Sequence, residues 1–128
     1  MGDRMKSRPT LGKDGRLHIS ESVFQSQVMQ AAKLCGWLAY HAKPAMVRKK
    51  DGGMRWLTAM SGDPGFPDTV LTKAGRIWLI ELKTDSGTVS DEQQAWLDEL
   101  KKCKSPFVRA FVLRPSGFDQ FWWELKQV

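Results

Sequence analysis

A chain of 128 residues with 41% hydrophobic content and six tryptophans has the material for one two-layer core and not for two. Its formal charge of +6 fits a polyanionic partner, although so modest a surplus also serves plain solubility. No apolar run approaches the roughly 18 residues that span a bilayer, which favours nucleic acid over membrane, and no apolar segment follows the N-terminal charges as a secretory signal requires. The two cysteines, Cys35 and Cys103, lack any CxxC or Cys/His ligand spacing and are expected to be reduced core thiols in helical stripes of a cytosolic protein.

Residues 1–18 are rich in Lys, Arg, Gly and Pro without periodicity, the composition of a flexible basic arm, so a single domain is expected over residues 19–128. Ser20 can cap a helix that carries Glu21 in its first turn. Phe24, Val28, Ala31 and Cys35 then follow one face until Gly36 ends it. Glu21 reads either as an acid favoured by the helix dipole or as a group reaching a site at the helix start. Residues 37–41 read as a short aromatic strand, with His41 at its end in a hydrogen-bonded structural role rather than as a metal ligand.

Residues 42–63 show neither a helical nor a strand period. Lys43, Arg48, Lys49, Lys50 and Arg55 gather there with Trp56 and a Gly52-Gly53 pair. So long an irregular segment in a compact domain is functional or disordered. Its cations suit a phosphate backbone, and equally a solvated loop without a partner.

The next stretch organises the chain. Gly65-Phe66-Pro67-Asp68-Thr69-Val70-Leu71 and the run from Ile77 to Lys83 are apolar, and the polar residues 72–76 between them predict two hairpin-connected strands. In the second, Ile77, Leu79, Glu81 and Lys83 share one face while Trp78, Ile80 and Leu82 share the other, as in a central strand covered on both sides. Glu81 and Lys83 then stand about 6.6 Å apart along the backbone. A carboxylate at the mouth of a core costs desolvation unless a charge joins it. Asp68 and Glu81 could hold a hard divalent cation with Lys83 beside it; alternatively Glu81 and Lys83 exit to solvent and Asp68 is a turn residue.

Further on, Ser90 and Gln93 make the pattern of a capping box, and Gln93, Trp96, Leu97 and Leu100 share one helix face. Gln93 therefore caps the helix, contacts the reacting groups, or does both. Residues 107–113 read as a further strand. Pro115-Ser116 opens a last helix with Phe118, Phe121, Trp122 and Leu125 on one face, which leaves Trp123 outside the stripe as a hint of a subunit interface.

Taken in order, Glu21-x-x-x-Gln25, Gly36-Trp37 with Tyr40-His41, Gly65-Phe66-Pro67-Asp68, Glu81-Leu82-Lys83 and Ser90-x-x-Gln93-x-x-Trp96 resemble the VRR-NUC family, the virus-type replication-repair nucleases of the PD-(D/E)xK superfamily. The likeness runs from about Glu21 to Asp119. It implies an α/β fold of the restriction-endonuclease type, in α-β-β-β-α-β order, with a mixed central sheet flanked by helices and a C-terminal helix. It implies that Asp68 and Glu81 bind Mg2+ or Mn2+ with the Leu82 carbonyl, that Lys83 positions the attacking water, and that Glu21 and Gln93 belong to the active site. Compact stand-alone members of phage type resemble Holliday-junction resolvases acting as homodimers, which points to a DNA endonuclease in the cytoplasm of a bacterial or phage-infected cell, without a small-molecule cofactor. Cutting of flaps or single strands on the same site, or a non-catalytic nucleic-acid-binding module, are the competing readings.

Overall fold

The computed structural model describes residues 10–11, 17–42, 45–57 and 60–128. Most of the basic leader therefore lies outside the described residues; within it, β1 (Thr10–Leu11) pairs antiparallel with β2 (Leu17–His18). The first helix, α1 (Glu21–Leu34), is capped by the Ser20 hydroxyl, which accepts from the Val23 N–H at 3.3 Å. At its other end Gly36 takes φ +81°, so that Trp37 N–H reaches the Ala32 carbonyl at 2.9 Å and Gly36 N–H the Lys33 carbonyl at 3.0 Å. This paired C-terminal closure needs a left-handed residue, and glycine supplies it without a Cβ penalty. The turn delivers Trp37 into the core, where its ring lies 4.6 Å from that of Trp78.

The main sheet has four strands in the order β3 (Leu38–His41), β6 (Thr69–Lys73), β7 (Arg76–Leu82), β8 (Val108–Leu113). The first two pairings are antiparallel and the last is parallel. The β6–β7 turn is tighter than residues 72–76 suggest. Only Ala74 and Gly75 lie between the paired Lys73 and Arg76, both with positive φ (51° and 78°), the mirror-image turn whose twist suits a hairpin.

The alternation along β7 sorts the two cores. Trp78, Ile80 and Leu82 pack with Phe24, Val28 and Phe121, so α1 and α3 (Phe118–Lys126) cover one face. Leu79 packs with Leu97 and Ala110, so α2 (Asp91–Lys101) covers the other. Leaving the small pairings aside, the chain runs α1-β3-β6-β7-α2-β8-α3, the expected order with its C-terminal helix.

Two expectations need correction. Residues 42–63 are not without a strand: β4 (Ala45–Arg48) and β5 (Met54–Leu57) form an antiparallel hairpin of their own. Each strand spans only four residues, too short for a periodic signal, and residues 49–53 close the loop through Gly52 N–H to the Lys49 carbonyl (3.0 Å) and Gly53 N–H to Asp51 Oδ1 (2.9 Å). Cys103 is not in a helical stripe either. It is exposed beyond the end of α2, whereas Cys35 packs partly buried against the core.

Candidate active site

Asp68 stands immediately before β6 and Glu81 near the end of β7, and the antiparallel register turns both to the α2 face. Thr69 pairs with Ile80, so the residue before one and the residue after the other are neighbours. Asp68 N–H donates to Glu81 Oε2 at 3.3 Å. Asp68 Oδ1 accepts from Leu82 N–H at 3.2 Å and from the Thr69 hydroxyl at 3.0 Å. Among the described residues no donor reaches its Oδ2. Glu81 is only 4% exposed, and Lys83 Nζ lies 3.9 Å from its Oε1.

Gln93 caps the helix and also reaches Glu81. Its Oε1 accepts from Ser90 N–H at 2.9 Å, and the Ser90 hydroxyl accepts from Gln93 N–H at 3.2 Å, which completes the capping box. With its oxygen committed to the cap, the amide presents Nε2 to Glu81 Oε1 at 2.9 Å. The helix start is itself pinned. Gly65 adopts φ +97°, and a Cβ there would stand 2.5 Å from the Glu92 carbonyl carbon and 2.7 Å from Gln93 N. Trp96 Nε1 donates to the Pro64 carbonyl at 3.0 Å, and the Phe66 ring sits edge-on to Trp96 at 5.1 Å. Below Lys83, Arg114 Nη1 donates to the carbonyls of Thr84 (2.6 Å) and Gly87 (2.7 Å), holding the loop into α2.

A support that the sequence reading missed lies behind Asp68. Thr69 is fully buried, and its hydroxyl, donating to Asp68, stands 3.0 Å from His41 Nδ1. Nδ1 must then carry the hydrogen, so a chain His41–Thr69–Asp68 fixes the plane of the carboxylate. His41 is thus hydrogen-bonded, as expected, but toward the site.

Electrostatics match this geometry. Burial, followed by the Asp68 charge, pushes Glu81 up to about 7 against the pull of Lys83. Burial likewise raises Asp68, opposed by the bonds from Leu82 and Thr69 and by His41. Glu21, exposed at the start of α1, adds to both shifts. A buried acid whose ionisation is hindered by a neighbouring carboxylate suits a cation. Among the described residues no group of three or more His, Cys, Asp or Glu side chains gathers to hold a metal ion. The carboxylate pair Asp68 and Glu81 is instead donor chemistry suited to a hard ion that keeps waters and takes phosphate oxygens.

The basic segment enters from the same end. The β4–β5 hairpin leaves the sheet after His41 and returns before Asp68, with Arg48, Lys49 and Lys50 exposed. Lys43 and the side chain of Arg55 lie outside the described residues. No helix among the described residues is long and apolar enough to cross a membrane.

Searches of curated proteins and of solved structures gave no match. The profile of the VRR-NUC domain, in contrast, matches residues 18–114, from the strand before α1 to the arginine that closes the loop into α2. That span takes in the carboxylate pair, the lysine beside it and the capped glutamine, and on it the chain belongs to the VRR-NUC family, nucleases of the PD-(D/E)xK type.

Proposed function

We propose that this chain is a Mg2+- or Mn2+-dependent structure-specific DNA endonuclease that resolves four-way junctions as a homodimer in the cytoplasm of a bacterial or phage-infected cell. The observation that carries the reading is the Asp68–Glu81 contact on one face of the sheet, with Lys83 and Gln93 on Glu81. Asp68, Glu81 and the Leu82 carbonyl would hold the ion. When bound, such an ion neutralises charge on a phosphodiester and makes water more acidic. Lys83 holds the attacking water, Gln93 keeps the Glu81 carboxylate aimed at the site, and Glu21 tunes the charge around it from α1. Arg48, Lys49 and Lys50, with Lys43 and Arg55, grip the DNA backbone. The homodimer reading is supported by exposed Trp123 and by the two symmetric cuts that a four-way junction requires.

The test compares a mobile four-way junction, a flap, a single strand and a plain duplex, each with Mg2+, with Mn2+ and with chelator. Asp68→Asn and Glu81→Gln should each lower cleavage by at least about 100-fold while DNA binding is retained. Undiminished cleavage by either variant refutes the site. Preference for flaps or single strands over junctions overturns only the substrate, and absence of cleavage with either ion, despite salt-sensitive binding, leaves a binding module.

A further inference from the structure

Among the described residues, the α2 face of the sheet is covered over β7 and β8 and exposed over β3. The register defines three rows that cross it: Leu38, Thr72 and Ile77; Tyr40, Val70 and Leu79; then Ala42, whose N–H bonds the Asp68 carbonyl at 2.8 Å, level with Asp68 and Glu81. Tyr40 therefore stands diagonally across from Asp68, roughly 7–8 Å away between Cα atoms, a spacing that aromatic side chains bridge. Tyr40 is 62% exposed and Leu38, two residues along the same face, is 75% exposed. One exposed apolar residue is ordinary; an aromatic and an aliphatic in file on exposed sheet, one row from a carboxylate pair, form a ledge.

We infer that this ledge is a nucleobase-stacking site: Tyr40, backed by Leu38, receives an unpaired base of the DNA next to the phosphate held at Asp68 and Glu81. The inference rests on the nuclease reading and adds a substrate class to it, DNA with an unstacked base beside the bond that is cut. Three features select a base as the occupant. The ledge continues directly into the carboxylate site. Arg48, Lys49 and Lys50 follow in the chain as partners for the backbone of the same strand. An exposed aromatic is the usual stacking platform for single strands, because every base has a π-face. A perfect duplex keeps its bases stacked inside and offers nothing to Tyr40, so the ledge discriminates between DNA structures without reading sequence.

The experiment measures binding in chelator, at low and high salt, of three oligonucleotides: plain duplex, duplex with a short unpaired gap, and single strand. Tyr40→Ala should weaken binding of the gapped and single-stranded DNA by about 10-fold or more and leave duplex binding within about 2-fold. Its salt slope should match the parent's, since stacking releases no counterions. Tyr40→Phe should bind like the parent. Equal losses on all three DNAs, or none, overturn the inference, and so does a change in sedimentation of Tyr40→Ala, which would make the ledge a subunit interface. A circular dichroism spectrum like the parent's establishes that the variant is folded; if it is not, loss of the binding difference in Leu38→Ser and its retention in Tyr40→Phe test the same ledge. Failure here with Asp68-dependent cleavage intact removes only the ledge, whereas absence of cleavage removes the nuclease reading beneath it.

Discussion

Glu81 is the residue whose chemistry is most constrained by its surroundings. Burial and then the neighbouring Asp68 charge hold it at about 7, above its ordinary 4.5. The fold thus prefers the neutral acid. The stability from this group is full below about pH 4.5 and is lost as pH rises through about 7. In chelator, Tm should fall between about pH 5 and about pH 8, and Glu81→Gln should remove most of that fall. Added Mg2+ should raise Tm more at the upper pH, because it binds the ionised pair. A flat profile in the parent, or an unchanged slope in the variant, would contradict this account. Glu81 and Lys83 were legible as neighbours on one face because a strand alternates with period two, and Asp68 could be set beside them only through the short hairpin that joins its strand to theirs. The His41–Thr69 support was not legible, since it depends on how β3 pairs with β6, and nothing local to either strand states that register.

At the scale of elements, the loop before β6 and the start of α2 act as one piece. Gly65 makes this possible, since its missing side chain lets the loop backbone lie on Glu92 and Gln93. Gly65→Ala should cost about 2–4 kcal/mol from the left-handed φ and the collision together. Its Tm should drop on the order of 10 °C, and cleavage should fall as Gln93 is displaced from Glu81. Gly75→Ala is the control: its φ is also positive, at +78°, but nothing lies within 4 Å of the new Cβ, so its loss should be near 1 kcal/mol. Equal losses in calorimetry would show that the Gly65 contact is unimportant. Helices and central strands were readable from their caps and apolar faces. The β4–β5 hairpin was hidden by its four-residue strands and the charges between them, and the exposed place of Cys103 by the end of α2 at Lys101, two residues before it.

For the whole molecule, the surface away from the site carries its own information. Leu34 is 80% exposed and Trp123 54%. A cleft of about 440 Å³ between the end of α1 and α3 is lined by Leu34, Cys35, Lys73, Trp122, Lys126 and Val128. Solvent-facing apolar groups of this kind suit a second copy. Sedimentation at micromolar concentration should give a dimer, and Trp123→Ser should shift it toward monomer and convert paired junction cuts into single nicks. A monomeric parent would refute the dimer, and a Trp123→Ser variant that remains dimeric would move the interface elsewhere.

The two-residue turn at Ala74 and Gly75 also reaches further than its position suggests. It lies at the opposite end of its strands from Asp68, about five residues or roughly 17 Å away, yet it counts the residues that bring the acids level. One residue more or fewer there would slide the first strand by a single step and carry Asp68 through the sheet to the side of α1 and α3, with every apolar contact on that strand reversed. The arithmetic of a distant bend thus governs whether two acids meet.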